Sequence, residues 1–171
     1  MSGTLYIVDG YNVLHALFRG AGKDEIFGRR DWLADRLASF AALRGASVLL
    51  VFDGRGSRSI CSVPIKGAPV EVCFAGGRFT ADTLIARRIA ESPADIPVVV
   101  VSADQEVQRA AARAGVSRMT PIELGAELDS GADAGQALDS ASDLTTMPSR
   151  LEDKVDPETL RKLEELRNKP Q

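Results

Sequence analysis

Apolar, β-branched runs alternate along the chain with stretches in which apolar residues recur every three or four positions. The runs predict strands over residues 4–8, 47–52, 70–74, 97–101 and 116–119. The periodic stretches predict helices over residues 29–43, 81–91, 103–114 and 121–128. Because strands alternate with helices, this order predicts an α/β protein with a mostly parallel sheet. We therefore expect a three-layer α/β/α fold.

The starts of three predicted helices carry capping signals. Thr80 is expected to cap the helix that follows it. Ser102 is expected to cap the next one, with Gln105 at the spacing of a capping box. Pro121 stands at the first position of the last of these helices, where its missing N–H removes no helical hydrogen bond.

The composition changes at Asp129. Residues 129–155 are rich in Ala, Ser, Asp and Gly without an apolar period, so we expect a disordered acidic linker. Residues 156–171 return to a short helical pattern with leucines on one narrow stripe. A helix this short is marginal in water, so we expect it to dock on a partner or on the domain itself. The chain thus divides into a domain over residues 1–128, a linker and a C-terminal helix.

Four aspartates stand where the strand ends are expected to meet. Asp9 and Asp53 end the first two predicted strands, in IVDGYN and LLVFDG. Asp82 lies in the first turn of a helix, and Asp104 follows the fourth predicted strand together with Ser102. Ligands of open α/β sheets bind beyond the carboxyl ends of the strands, so we expect the four carboxylates to converge on one edge.

Such a cluster is unfavourable by itself, because like charges in a half-buried site repel one another. A hard divalent cation removes the repulsion, and carboxylate oxygens suit Mg²⁺ or Mn²⁺. We therefore predict a metal site, with one ion or two, formed by Asp9, Asp53, Asp82 and Asp104. With two cysteines and one histidine in the chain, a zinc site is disfavoured and a ribonuclease mechanism that uses a pair of histidines is excluded.

Each of these residues also has a simpler interpretation. An aspartate at the end of a strand is often only a turn former or a helix cap. Asn12 either starts the next segment or holds a water molecule or a phosphate with its amide. His15, beside Leu14 and near Leu17, is expected to be a packed residue rather than a catalytic base. The coincidence of four carboxylates at one edge is what favours the metal site.

The charge of the chain is unevenly distributed. Residues 1–128 carry 15 Lys and Arg against 14 Asp and Glu, whereas residues 129–171 carry 6 against 10. The net charge of −3 therefore hides a near-neutral domain and an acidic tail. Arg55 and Arg58 directly follow Asp53 and are expected either to contact phosphates of a nucleic acid or to be solvated.

The sequence carries no signal for a membrane or for export. No apolar run reaches the roughly 18 residues that a membrane helix requires, and the N-terminus does not resemble a signal peptide. Cys61 and Cys73 form neither a CxxC motif nor a disulfide framework. We therefore expect a cytoplasmic protein with two thiols and no membrane partner.

With these residues in hand, the chain resembles the YacP-like branch of the NYN domains, which are PIN-like nucleases. The matching segments are YIVDGYNVLHA, VLLVFDG, VEVCFAGGRFTADTLIARRI and VVVVSADQEVQRAAARAGV, followed by TPIEL. They occur in the order of the family and cover residues 4–128. The resemblance implies a PIN-like α/β/α fold and metal-dependent endoribonuclease activity. It assigns the metal to Asp9, Asp53, Asp82 and Asp104, with Asn12 and Ser102 as polar supports that contact the substrate.

Our first hypothesis is a cytoplasmic endoribonuclease that uses Mg²⁺ or Mn²⁺ to hydrolyse single-stranded RNA, which Arg55 or Arg58 would hold. For some members of the family, the resemblance implies mRNA on the ribosome as the substrate. Family members often have an aspartate directly after the serine, whereas Ala103 separates Ser102 from Asp104 here. The fourth ligand therefore binds either directly or through water.

Two other classes of function are considered. The same edge could serve a catalytically weak RNA-binding or adaptor module. Aspartyl-phosphate chemistry on a similar sheet is disfavoured, because Tyr11 occupies the position at which a dehalogenase needs its second aspartate. A receiver domain would need extra acids near the first strand and a lysine after the last strand, and neither is found.

Overall fold

The computed structural model describes residues 3–54, 56, 60–64 and 67–139, which form one sheet between two layers of helices. The strands are β1 (Leu5–Asp9), β2 (Ser47–Asp53), β3 (Ile60–Pro64), β4 (Val70–Ala75), β5 (Val98–Val101) and β6 (Ser117–Met119). The helices are α1 (Gly10–Leu17), α2 (Lys23–Gly28), α3 (Arg30–Arg44), α4 (Ala81–Glu91), α5 (Gln105–Ala114) and α6 (Pro121–Asp139). The predicted α/β/α fold is confirmed.

The direction in which successive strands are added to the sheet reverses beside the central strand, β1. The order is β3-β4-β2-β1-β5-β6, and every neighbouring pair is parallel except β3 with β4. From β1 the chain first builds β2 to β4 on one side and then crosses over to add β5 and β6 on the other. The order therefore reverses between β1 and β5, which is where doubly wound sheets bind ligands.

Alternation along the strands sends side chains into two cores, one on each face of the sheet. Tyr6 and Val8 of β1 belong to the core formed with α1, α3 and α6, whereas Ile7 belongs to the core formed with α4 and α5. β2 is buried continuously over residues 48–52, as expected for a strand covered on both faces.

Most of the predicted elements are confirmed. All five predicted strands and the first three predicted helices are present, with ends that differ by at most two residues. Thr80 caps α4 as predicted, because its Oγ1 accepts the Thr83 N–H at 3.2 Å. The buried runs and the capping signal are local features, which explains why the sequence alone predicts them.

Three short elements were not predicted, because their local signals are weak. α1 has eight residues and begins within DGYN, which has the composition of a turn. α2 has six residues and starts after Gly22 without a side-chain cap. β3 pairs antiparallel with β4 at the edge of the sheet and ends at Pro64, which an edge strand tolerates.

α6 is longer than predicted. It continues to Asp139, so residues 129–139 are helical and the predicted helix end at Leu128 is wrong. Alanines in this stretch favour a helix, and no proline follows Pro121 until Pro148. The rest of the predicted linker and the predicted C-terminal helix lie outside the described residues. Among the helices of the described part, none is long and apolar enough to cross a membrane.

Gly10 is the position at which α1 meets the sheet. A Cβ atom here would lie 2.3–2.8 Å from three atoms of the Phe52 ring. Phe52 is fully buried near the end of β2, and the Tyr11 ring packs edge-on against it with centroids 5.0 Å apart. Glycine therefore allows α1 to begin directly after Asp9 and to lie against β2.

We expect Gly10→Ala to lower the free energy of unfolding by about 1–3 kcal/mol, because the added methyl group must displace a buried ring. Gly28→Ala is the matched control, since no atom lies within 4 Å of a Cβ at that helical position. It should leave the stability unchanged or raise it by up to about 1 kcal/mol. Urea unfolding measures both variants, and a Gly10→Ala protein as stable as the wild type would contradict this packing.

Candidate active site

Asp9 joins the central strand to the first helix. β1 delivers it to the carboxyl edge with 7% of its surface exposed. Its Oδ1 accepts the Asn12 N–H at 3.2 Å and so caps α1. Its Oδ2 accepts the Ser102 hydroxyl at 3.4 Å. The buried carboxylate is therefore fixed by β1, by α1 and by the residue that follows β5.

Asp53 and Asp82 both lie at the start of α4. Asp53 ends β2, and its Oδ1 accepts the Ala81 N–H at 2.8 Å. Asp82 is the next residue along the chain and lies half-buried in the first turn of α4. This hydrogen bond therefore ties the end of β2 to the residue that precedes Asp82.

Asp104, and not Ser102, caps α5. The Oδ1 atom of Asp104 accepts the N–H groups of Glu106 and Val107 at 2.7 and 3.3 Å. Ser102 is fully buried, and its Oγ accepts the Asp104 N–H at 3.0 Å while it donates to Asp9. The predicted capping box that starts at Ser102 is therefore wrong, because a carboxylate nearer the helix takes its first N–H groups. Ser102 instead links Asp9 to the start of α5.

Asn12 connects the two sides of the strand reversal. Its Oδ1 accepts the Ala103 N–H at 2.7 Å, which ties the first turn of α1 to the loop between β5 and α5. Ala103, the residue that separates Ser102 from Asp104, thus supplies a backbone donor to the site. The observed contacts of Asn12 and Ser102 hold the site together, and contact of either residue with a substrate stays a prediction.

Burial and the charges of neighbouring acids raise the pKa of two carboxylates at this edge, Asp9 and Asp82. Burial, with the nearby charges of Asp82 and Asp53, raises the pKa of Asp9 to about 6 despite the hydrogen bonds that it accepts. Burial, with the charges of Asp104, Asp53 and Glu106, raises the pKa of Asp82. All four predicted aspartates therefore belong to one electrostatic cluster, in which the charge of Asp82 interacts with each of the other three.

Glu106 is a fifth acid at this edge that sequence reasoning did not assign to the site. It lies exposed in the first turn of α5, and its charge contributes to the raised pKa of Asp82. The sequence signal that could have assigned Glu106 to the site is its position two residues after Asp104. This signal is weak, because acids are common at helix N-termini for reasons unrelated to ligands.

The cluster has the donor chemistry for a hard divalent cation. Its acids offer oxygen atoms alone, which Mg²⁺ and Mn²⁺ prefer. Asp9, Asp53 and Asp104 each use Oδ1 for a helix N–H, which leaves Oδ2 as a possible ligand. The Oδ2 atom of Asp9 also accepts the Ser102 hydroxyl and has a further lone pair. Within the residues that the structure describes, however, no three Asp, Glu, His or Cys side chains form a group that could hold one ion. Metal binding here would require the carboxylates to converge.

The remaining predicted residues are placed differently. Arg55 and Arg58 lie outside the described residues, so their phosphate contacts stay a prediction. His15 is exposed near the end of α1, so the expectation that it is packed is wrong. The buried face of α1 includes Val13 and Leu14, and this turns the next residue outward.

Comparison with known families places this geometry in context. The family model described as YacP-like NYN domain matches residues 6–168. The chain belongs to this family. The resemblance drawn from the sequence motifs is thereby confirmed, and the carboxylate cluster of this YacP-like NYN protein lies in a nuclease-type fold. A search of curated proteins gave no significant match.

Two crystal structures of Rae1 (YacP) from Bacillus subtilis are similar to this YacP-like chain. One, of a point mutant, shares 21% sequence identity and a TM-score of 0.65, and the match covers 94% of this chain and 98% of that one. The other shares 24% identity and a TM-score of 0.63, and the match covers 78% of each chain. At these identities the likeness establishes a common fold.

We expect Asp9→Asn to stabilise the metal-free protein by about 2–3 kcal/mol at about pH 7. The folded-state pKa of Asp9 is raised from 3.8 to about 6, so the folded protein holds the proton more tightly than the unfolded chain. The stability that this group contributes therefore falls as the pH rises from about 4 to about 6 and stays low above that range. Asparagine lacks the charge and can still cap α1.

Thermal unfolding in EDTA across this pH range measures the effect. The advantage of Asp9→Asn over the wild type should shrink toward zero as the pH approaches about 4. Asp95→Asn is the matched control, because Asp95 is exposed between α4 and β5. A variant that is destabilised, or stabilised equally at every pH, would contradict the electrostatic description.

Proposed function

We propose that this protein is a metal-dependent endoribonuclease that hydrolyses phosphodiester bonds of single-stranded RNA. The observation that carries the proposal is the electrostatic cluster of Asp9, Asp53, Asp82 and Asp104 beside the strand reversal of a nuclease-type fold. Neutral Asn or Ser side chains could cap the same helices without mutual repulsion. A group of charged aspartates is therefore better explained by a cationic ligand than by capping.

In the proposed site, Asp9, Asp53 and Asp82 hold the metal, and Asp104 completes the set directly or through water. Mg²⁺ or Mn²⁺, when bound, would lower the pKa of a water molecule and would stabilise the charge that develops on the phosphate. The chain's own contribution is to orient the ligands through β1, β2 and the starts of three helices. Among the described residues, none donates a hydrogen bond to the Asp82 side chain, which leaves that carboxylate able to turn toward a cation.

The proposed partner is RNA, and the family resemblance extends the proposal to mRNA on the ribosome in the cytoplasm. The near-neutral charge of residues 1–128 supports an RNA partner, because neutralisation of the clustered acids by a cation would leave an excess of Lys and Arg. The predicted C-terminal helix, which lies outside the described residues, would dock on the domain or on a partner.

A second candidate is a catalytically weak RNA-binding or adaptor module on the same fold. One observation favours it: within the described part of the chain, no three side chains form a group that could hold a metal ion. If the carboxylates do not converge on an ion, the same edge would still offer RNA a polar surface, with Arg55 and Arg58 as predicted phosphate contacts, without cleaving it.

Incubation of a labelled single-stranded RNA with the wild type and Mn²⁺ or Mg²⁺ tests the proposal. We expect internal cleavage that depends on the metal and stops with EDTA. Asp9→Asn and Asp82→Asn should lower the rate more than about 100-fold, because each removes a charged ligand. Asp95→Asn should cleave like the wild type, since Asp95 lies in the segment that enters β5 at the opposite edge of the sheet.

Two outcomes separate the candidates. Equal cleavage by the wild type and Asp9→Asn would rule out the assigned site. Binding of RNA without turnover in any divalent metal would favour the adaptor module over the nuclease.

A further inference from the structure

Arg30 lies at the carboxyl edge of the sheet, as the aspartates do, but on the face that is covered by α1 and α3. Asp53 faces the start of α4, whereas Phe52 before it packs in the core beneath α1 and α3. α3 leads into the amino end of β2, so its first residue, Arg30, lies at the carboxyl edge. The Arg30 Cζ atom is 6.0 Å from the ring centroid of Phe52 and 5.8 Å from that of Phe74.

Phe27 holds this arginine in place. The Arg30 Nε donates to the Phe27 carbonyl at 3.1 Å, and the Arg30 Cζ lies 3.6 Å from the centroid of the Phe27 ring. The hydrogen bond and the cation–π contact together orient the guanidinium group. Neither contact neutralises its charge.

Arg30 differs from its neighbour Arg29 in its ion pairs. Arg29 pairs with Glu25 at 2.7 Å, whereas Arg30 forms no ion pair with any described residue. A guanidinium has five N–H donors in a planar fork, and one is used by Phe27. The other donors of Arg30 suit a phosphate, which the fork can bind through two parallel hydrogen bonds.

Phe27 presents an apolar ring to solvent beside this cation. The residue is 48% exposed, and Phe79, in the loop that precedes α4, is 45% exposed at the same edge. Bases of single-stranded RNA stack on exposed aromatic rings, and a neighbouring arginine can bind the phosphate of the same or the next nucleotide. A guanidinium oriented by Phe27 next to a half-exposed ring therefore has the chemistry to bind one nucleotide.

We propose that Phe27 and Arg30 form a nucleotide subsite for single-stranded RNA at the carboxyl edge that carries the carboxylate cluster. The inference rests on the proposed function for the class of ligand. Arg30 binds a phosphate that flanks the cleaved one, and Phe27 stacks on a base. Both are positioning residues, because they hold the strand and leave the chemistry to the aspartates.

Binding of a fluorescein-labelled single-stranded RNA of about 12 nucleotides to the full-length protein in EDTA tests the subsite. EDTA prevents metal-dependent cleavage during the measurement. Arg30→Ala should weaken binding about 10-fold and reduce the slope of log K against log salt concentration by about 1. Phe27→Ala should weaken binding about 5- to 10-fold and leave that slope unchanged, because stacking releases no counterions.

Arg36→Ala is the matched control. Arg36 belongs to the same helix and lies 5.7 Å from the Trp32 ring, but it is about 9 Å farther from the carboxyl edge. This variant should bind RNA like the wild type. Arg30→Lys keeps the charge and the aliphatic stem, so it should fold and retain the salt slope while binding more weakly, even if Arg30→Ala does not fold.

Cleavage kinetics supply an independent readout. Variants of Arg30 and Phe27 should raise KM more than they lower kcat, since they bind the strand away from the reacting phosphate. If the wild type binds RNA through these residues but cleaves none with any metal, the subsite stands and the proposed hydrolysis fails. If the wild type cleaves RNA while the Arg30 and Phe27 variants match Arg36→Ala in affinity, salt slope and KM, the subsite is wrong and the proposed hydrolysis stands. If the wild type neither binds RNA, in EDTA or with Mn²⁺, nor cleaves it, both proposals are overturned.

Discussion

Hydrogen bonds from helix N-termini to aspartates organise the carboxyl edge of this protein. α1, α4 and α5 each begin at this edge, and each donates a backbone N–H to one carboxylate, on Asp9, Asp53 or Asp104. The bonds satisfy N–H groups that have no partner within a helix, and they place the positive end of each helix dipole beside an acid. They also set where each helix begins relative to the sheet. The starts of these three helices and the arrangement of the site therefore share the same hydrogen bonds.

This arrangement changes how the aspartates should be understood. From the sequence, each could be a helix cap or a ligand. In the structure Asp9 and Asp104 are caps, whereas Asp53 accepts the Ala81 N–H at the start of α4, a helix that Thr80 caps. Capping alone does not account for the burial of Asp9 or for Asp82, whose pKa is raised by burial and by its charged neighbours. The helix dipoles offset only part of the repulsion among these carboxylates. The remaining electrostatic strain is what a divalent cation would relieve.

The sequence alone predicts those features that have a local signal. Apolar runs predict the strands, and the rule for parallel sheets then brings the aspartates to one edge without any knowledge of side-chain contacts. Sequence reasoning did not predict the features that depend on contacts between residues far apart in the chain. The start of α1 depends on Gly10 meeting the Phe52 ring, and the role of Ser102 depends on Asp9. Likewise, nothing near Arg30 in the sequence shows that the direction of α3 brings it to this edge.

The contacts across the strand reversal also determine when the site can form during synthesis and folding. Ser102 and Asp9 are 93 positions apart, and Asn12 and Ala103 are 91 positions apart. During synthesis Asp9 is made long before its partners, and contacts of such separation form only after the intervening chain has closed into a loop. A nascent or partly unfolded chain therefore lacks the assembled carboxylates. For the proposed nuclease, this means that RNA near an unfinished chain, including its own message, meets no formed active site until β5 has joined β1.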